Sequence, residues 1–541
     1  MDQAPKECRK SLDQLLEQAL AERSREEEQV EVTYELTGDY APEQRGYRLN
    51  PEDAAAAISS RNKDEEEDEN EETVGSIHLE RKVMKNSIIL AVSVVLCFSG
   101  FSALQSLQSS FFPAIGLQSL SVLYFFATFS CICGPIIDQK IGIKWTFLIV
   151  SLLEALYVLA FHYYHPFALI TCAIFLGLGL GPMIRVQKSY LSRNISRLSY
   201  VTQAMRNKIQ QRYLRIFFLT SKSFCFWGNL AAAMIMEYAG GMYPDSSFLS
   251  NVTENAVTVI QHTELCYERL CKNGIYPVES DPDDDLIEST TTVPSGATKV
   301  FIYVFTPTIA LGALIVFIFL EKVEALLEQD PMERSLFHQT MRQMRLILVD
   351  KNVRLALPML IFIGIEKAFI FGDFTRAYIS CALGLQSVSF TMMCLGGAHT
   401  LGSIGVNLFS QHFQRPIIMA GGLVCQSGLL MVLWLWTPVK DDAAVFYVIA
   451  GGWGLCNAIW ETLTLTFLAA TYPDDWQAPF CTYYQLQWFG MAISFCLSPY
   501  LCTEIKILAL AIFLAAAIIP YTILEFRLHH RSQMQNRTEM L

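Results

Sequence analysis

The sequence predicts an all-α membrane protein of about twelve transmembrane helices arranged as two six-helix halves. Three observations carry this. From about Asn86 onward an uncharged apolar run followed by a turn or a charged loop recurs about twelve times, and each run of about 20 residues can cross a hydrocarbon core about 30 Å thick. Of 541 residues, 52% are hydrophobic and only 17% charged, below the roughly 25% charged residues of a soluble domain. The runs also lack the amphipathic breaks of soluble core helices.

The first eighty-odd residues stand apart. Leu12, Leu15, Leu16, Ala19 and Leu20 share one face of a short amphipathic helix over Ser11 to Gln29. From Tyr34 to Glu72 the chain is polar and acidic, so disorder is expected. The run Asp64 to Glu72 and its neighbours hold most of the excess acid behind the net charge of -12. Such a tail argues against nucleic acid or an anionic lipid surface as its partner. No apolar stretch precedes Asn86, so the first span is expected to act as an uncleaved signal anchor.

Spans are expected at 87–109, 115–137, 144–163, 166–185, 214–236, 299–320, 355–375, 388–409, 416–437, 444–468, 479–500 and 506–526. Residues 1–84 then form a cytosolic tail, 85–325 the first half, 326–353 a cytosolic linker, 354–528 the second half and 529–541 a short cytosolic tail. Orientation follows from basic residues. Arg185, Lys188, Arg193, Arg197, Arg206, Lys208, Arg212 and Arg215 crowd the connection after span four, and Lys322, Arg334, Arg342, Arg345, Lys351 and Arg354 the one after span six. Both connections and both termini are therefore expected in the cytosol.

The long outer loop, 238–298, carries the glycan acceptor Asn251-Val252-Thr253 and the closely spaced Cys266 and Cys271, a candidate disulfide in an oxidising compartment. The sequons at Asn194 and Asn536 fall on the cytosolic side and are expected to be empty. Passage along the secretory route makes the plasma membrane the default destination, with the endoplasmic reticulum or an endosome as alternatives. Most of the fifteen cysteines lie inside apolar runs and read as packing residues.

Ionisable groups inside a span cost about 2.5–3.5 kcal/mol each on insertion scales, so each needs a partner, water or a function. They are Glu154, Lys222, Glu366, Lys367, His399 and Glu461. Two roles stand open for them: coupling to a proton or cation, or pairing that glues helices together. Glu366 and Lys367 point about 100° apart on a helix, so each should find its partner on another span, Glu154 or Glu461 in the case of Lys367. Asp373 and Arg376, three apart, are expected to pair within one helix. Cys381 can bond an outer cysteine such as Cys502 or stay free. Trp453, Trp460 and Trp488 lie deep and can line a cavity or a partner-facing surface, whereas Trp436 and Trp476 fit an interfacial belt.

Gly177, Gly179 and Gly181 follow no strand and precede no lysine, so they serve close helix contact rather than a nucleotide. No nucleophile elbow, metal-ligand pair or nucleotide fingerprint is present, which argues against an enzyme, a cofactor or a metal.

Six spans, a cytosolic linker and six more is the layout of major-facilitator transporters. Gly134, Asp138, Gly142 and Lys144 after span two resemble the facilitator loop motif, with one residue too many between Asp138 and Gly142, and read equally as an ordinary turn. A sharper likeness lies in Gly372-Asp373-Phe374-Thr375-Arg376-Ala377-Tyr378-Ile379-Ser380-Cys381-Ala382-Leu383-Gly384, which resembles the signature of the unc-ninety-three (uncoordinated) family. Matching pieces are Lys144-Trp145-Thr146, Gly177-Leu178-Gly179 through Pro182, and Gly454 to Thr462 with Trp460. Asn457 stands where that family often has aspartate, and Tyr484-Gln485 where it often has arginine. The resemblance covers about Lys85 to Phe526 and implies a facilitator-like fold. It also implies a regulatory subunit of a two-pore-domain potassium channel, or a protein that modulates the trafficking of another membrane receptor, as in the branch that escorts Toll-like receptors. The alternative is a secondary transporter of a small solute.

Overall fold

The computed structural model describes residues 51–111, 113–162, 165–202, 206–242, 295–321, 336–410, 412–472 and 477–539. Two compact units emerge, Met1–Gly75 and Ser76–Leu541. In the first, residues 51–75 are helical where disorder is expected. The local reason is propensity: Pro51 suits a first helical turn, and alanine and glutamate dominate the two dozen or so residues after it.

The second unit is built almost wholly of helices. Its first half contains α1 (Ser76–Phe111), α2 (Pro113–Ser130), the short α3 (Gly134–Lys140), α4 (Gly142–His162), α5 (Pro166–Thr202), α6 (Arg206–Ser221), α7 (Phe224–Met242) and α8 (Ser295–Phe319). The second half contains α9 (Leu336–Val349), α10 (Lys351–Ala368), α11 (Leu385–Phe409), α12 (Arg415–Leu435), α13 (Ala443–Thr471), α14 (Gln477–Leu497) and α15 (Thr503–Glu539). Among the described residues, nine helices are long and apolar enough to cross a membrane. The more polar α7, α11 and α14 occupy the places of expected spans five, eight and eleven. The number twelve rests on these three.

Helix ends follow local chemistry. Asp350 caps α10 by accepting the Asn352 amide at 2.7 Å. Gly384, at φ +86°, ends the seventh span in a backbone conformation that a side chain would strain. The fifth expected span is broken at Lys222–Ser223 between α6 and α7. There the Ser223 hydroxyl donates to the Thr220 carbonyl at 2.8 Å, competing with the helix for that acceptor.

Across the middle, α14 packs against α2 and α11 against α7. Within the second half, α10 and α14 meet closely where glycine permits: a Cβ on Gly364 of α10 would lie 2.0 Å from the Gln487 carbonyl oxygen of α14, and one on Gly490 would lie 2.4 Å from that of Ile361. Gly177 and Gly181 of α5 seat that helix on α2 in the same way, and the Ser130 hydroxyl accepts the Gly181 amide at 2.9 Å.

One departure concerns the basic connection after span four. α5 runs through Thr202, 37 residues in all, so the expected solvated loop begins as helix. Lys188 is 2% exposed and Asn194 2% exposed, the latter donating to the Tyr190 carbonyl at 3.0 Å. A buried helical asparagine is no glycan acceptor.

Candidate functional site: one carboxylate shared by basic groups

Four elements bring their polar side chains to one point. Glu461, on α13, is 3% exposed. Its Oε1 forms an ion pair with Lys222, from the break in the fifth span, and lies 3.5 Å from Lys367 Nζ on α10. Its Oε2 lies 2.9 Å from His399 Nε2 on α11. The Tyr483 hydroxyl of α14 donates to Oε1 at 3.1 Å, adding a fifth element. Both carboxylate oxygens are thus filled, and the group ties the first half to four helices of the second. Of the two partners expected for Lys367, the structure brings only Glu461 within reach.

Other sequence-predicted groups sit apart. Glu154, in α4, is 1% exposed, and neither of its oxygens has a hydrogen-bond partner. Glu366 is fully buried and likewise unpartnered, contrary to the expectation that it pairs with another span, because it faces a different side of α10 from Lys367. Asn457, on α13, leaves its Oδ1 unpaired, while Gln485 donates to the Thr128 carbonyl at 2.9 Å and joins α14 to α2.

The signature segment forms a π-helix, Phe369–Ser380, continuing α10. This wider winding overturns the expected Asp373–Arg376 pair, since residues three apart no longer share a face as they do in an α-helix. Asp373 instead pairs with Lys506 of α15 at 2.5 Å and accepts from the Ser498 hydroxyl at 2.7 Å. Thr375 donates to the Phe371 carbonyl at 2.9 Å and sits 2.9 Å from the Ser109 hydroxyl of α1. Gly372 lies where a Cβ would crowd Leu117 and Phe495, and Phe374 is fully buried. Ser380 closes the π-helix, followed by Cys381 and the left-handed Gly384. Cys381 is disulfide-bonded, whereas Cys502 is a free thiol, so these two do not pair.

Trp453 and Trp460 are fully buried and Trp488 nearly so, which overturns a partner-facing role for them. Trp453 stacks on Phe369 at 5.8 Å. Trp436 stacks on Tyr378 at 6.4 Å. Trp476, Asn251, Cys266, Cys271 and the segment Ser11–Gln29 lie outside the described residues. Among the described residues, no group of three or more metal-ligating side chains converges.

Beyond the Asp373–Lys506 pair, sequence reasoning missed other buried polar arrangements. Asp138 of the loop motif, 8% exposed, pairs with Arg193 of α5 at 2.8 Å, while Lys144 donates to the Phe317 carbonyl. Glu525 on α15, 2% exposed, takes both Nε and Nη2 of Arg415 in a forked pair. Lys188 is the third surprise, buried against rings rather than solvated. The helical spacing of Asp138 and Arg193 gave no signal because their pairing depends on how α3 meets α5.

Comparison with known proteins agrees with this architecture. A family model described as ion channel regulatory protein UNC-93 matches residues 108–521. The chain is 28% identical over 448 residues to protein unc-93 homolog A of Bos taurus, covering 82% of this chain and 93% of that one. It is 24% identical over 438 residues to a Caenorhabditis elegans protein, unc-93, whose name ties it to potassium channel regulation, covering 80% of this chain and 59% of that one. Among solved structures, a D-xylose-proton symporter superposes with a TM-score of 0.52 at 9% identity, over 81% of this chain and 96% of that one, which shows the facilitator fold alone. With a family match across most of its membrane region, this multi-pass membrane protein belongs to the UNC-93 family of ion channel regulatory proteins.

Proposed function

We propose that this protein is an accessory subunit that modulates a potassium channel, of the two-pore-domain class, and works from the plasma membrane with both termini in the cytosol. The observation that carries the reading is the family match over residues 108–521. The geometry is compatible: Glu461 spends both oxygens on Lys222, Lys367, His399 and Tyr483, so the groups of this one cluster satisfy one another inside the protein. A scaffold needs such internal pairing, because buried charges left open in a bilayer are costly.

A second reading has one specific observation behind it. Several basic groups share one buried carboxylate, and paired ionisable groups inside spans mark substrate and ion pathways in transporters. Affinity purification from native membranes in mild detergent separates the two. Recovery of a channel near equal stoichiometry supports the accessory role. Recovery of a monodisperse chain without a channel, together with solute uptake by reconstituted vesicles, supports transport.

A further inference from the structure

Arg185 and Lys188 lie three residues apart on α5 and so share a face. Lys188 is 2% exposed, and its ammonium rests 4.6 Å and 4.0 Å from the ring centroids of Phe217 and Phe218. Phe218 stacks in turn on Phe480 of α14 at 5.7 Å. Arg185 lies beside Cys481 of α14, and its buried Nε has no hydrogen-bond partner. Among the described residues, neither cation has a carboxylate within ion-pairing distance.

The nearest charged groups do not supply the missing anion. Lys188 lies within electrostatic reach of Lys222, which repels it, and of the Cys481 sulfur and Glu461, which attract it. Glu461, however, is already engaged by Lys222, Lys367 and His399. Cation–π contact offsets part of the cost of burying one ammonium, but it leaves the guanidinium and the net positive charge unmet.

We propose that Arg185 and Lys188, walled by Phe217, Phe218, Phe480 and Cys481, bind a small anion bearing a carboxylate or a phosphate. A guanidinium beside an ammonium is a matched clamp for such oxyanions. The rings exclude water and strengthen the attraction. The anion comes either from a free solute or from a phospholipid headgroup, and the chemistry of recognition is the same. This site goes beyond channel regulation and stands whether or not a channel is bound.

The test uses the full chain. In one arm, delipidated protein in detergent is titrated with inorganic phosphate and with succinate, reading thermal stabilisation and calorimetry. In the other, nanodiscs of phosphatidylcholine are compared with nanodiscs containing phosphatidic acid. Saturable binding in the first arm assigns a free anion, and binding confined to the second assigns a headgroup. In either case Lys188→Met and Arg185→Gln should weaken it at least tenfold, while Lys140→Met, at an exposed lysine, leaves it unchanged. Should Lys188→Met fail to fold, Arg185→Gln and the parent titration still decide. Absence of saturable binding by the parent in both arms, or binding unaltered in the folded variants, overturns the proposal.

Discussion

Lys222, in the turn that breaks the fifth span, forms an ion pair with Glu461 of the tenth, joining two parts of the chain that are more than two hundred residues apart. Glu461 is 3% exposed and the Lys222 side chain 14%. Removing one member of a buried pair strands the other and costs about 3–5 kcal/mol. Glu461→Gln should therefore sharply lower the thermal midpoint of the purified protein. Adding Lys222→Met to Glu461→Gln should recover part of the loss, because the stranded charge is gone. If the single variant melts like the parent, the pair contributes no stability.

The π-helical signature makes a second prediction. Asp373→Asn should destabilise by about 3–5 kcal/mol, and Lys506→Met likewise, since each leaves a partner buried near Ser498. The two losses should be far from additive in a double-mutant cycle by fluorescence-detected thermal unfolding. Arg376→Met should have less effect, because Arg376 is not the partner of Asp373.

Packing between α10 and α14 gives a third. Gly364→Val places atoms against the Gln487 backbone, which cannot yield as a flexible side chain can. Overpacking costs typically about 1–3 kcal/mol and here falls at the upper end, read as loss of monodisperse protein on size exclusion. Gly421→Val, whose Cβ meets nothing within 4 Å, should be tolerated.

A fourth concerns pH at the rim of the membrane unit. The Lys82 ammonium, hydrogen-bonded at 2.5 Å, holds the Glu321 carboxyl below its usual range, with Lys85 adding a smaller pull. A depressed carboxyl contributes stability that is present above the unfolded value of about 4.3 and is lost as pH falls through the lower folded value. Both side chains are substantially exposed, so the effect is small and screened by salt. Glu321→Gln should remove a slight acid-side slope in thermal midpoint between pH 5 and pH 3, a window of about two units around that value.

How much of this was legible in the sequence depends on whether the determinant is local or long-range. The spans were legible because apolar length is a local property: α4, α8 and α12 fall where runs 144–163, 299–320 and 416–437 predict. The ionisable groups were legible as costly, and Lys367 as needing a partner on another helix. Which partner was not legible, because Glu461 meets Lys367 only through packing of α13 near α10, and Lys222 only through packing of the two halves. The Asp373–Arg376 expectation failed through an assumption of α-helical winding, which the π-helix of Phe369–Ser380 replaces. Lys188 was counted as a loop charge because basic residues after a span usually mark its end, whereas α5 continues beyond it and Phe217 and Phe218 of α6 cover it.

The accessory role is open to a direct test in whole-cell current from a two-pore-domain potassium channel expressed with and without this chain, paired with surface biotinylation of the channel. An accessory subunit changes the potassium current, through gating or surface number, and the channel is recovered with it. Unchanged current and unchanged surface channel, with the chain itself present at the surface, would contradict that role.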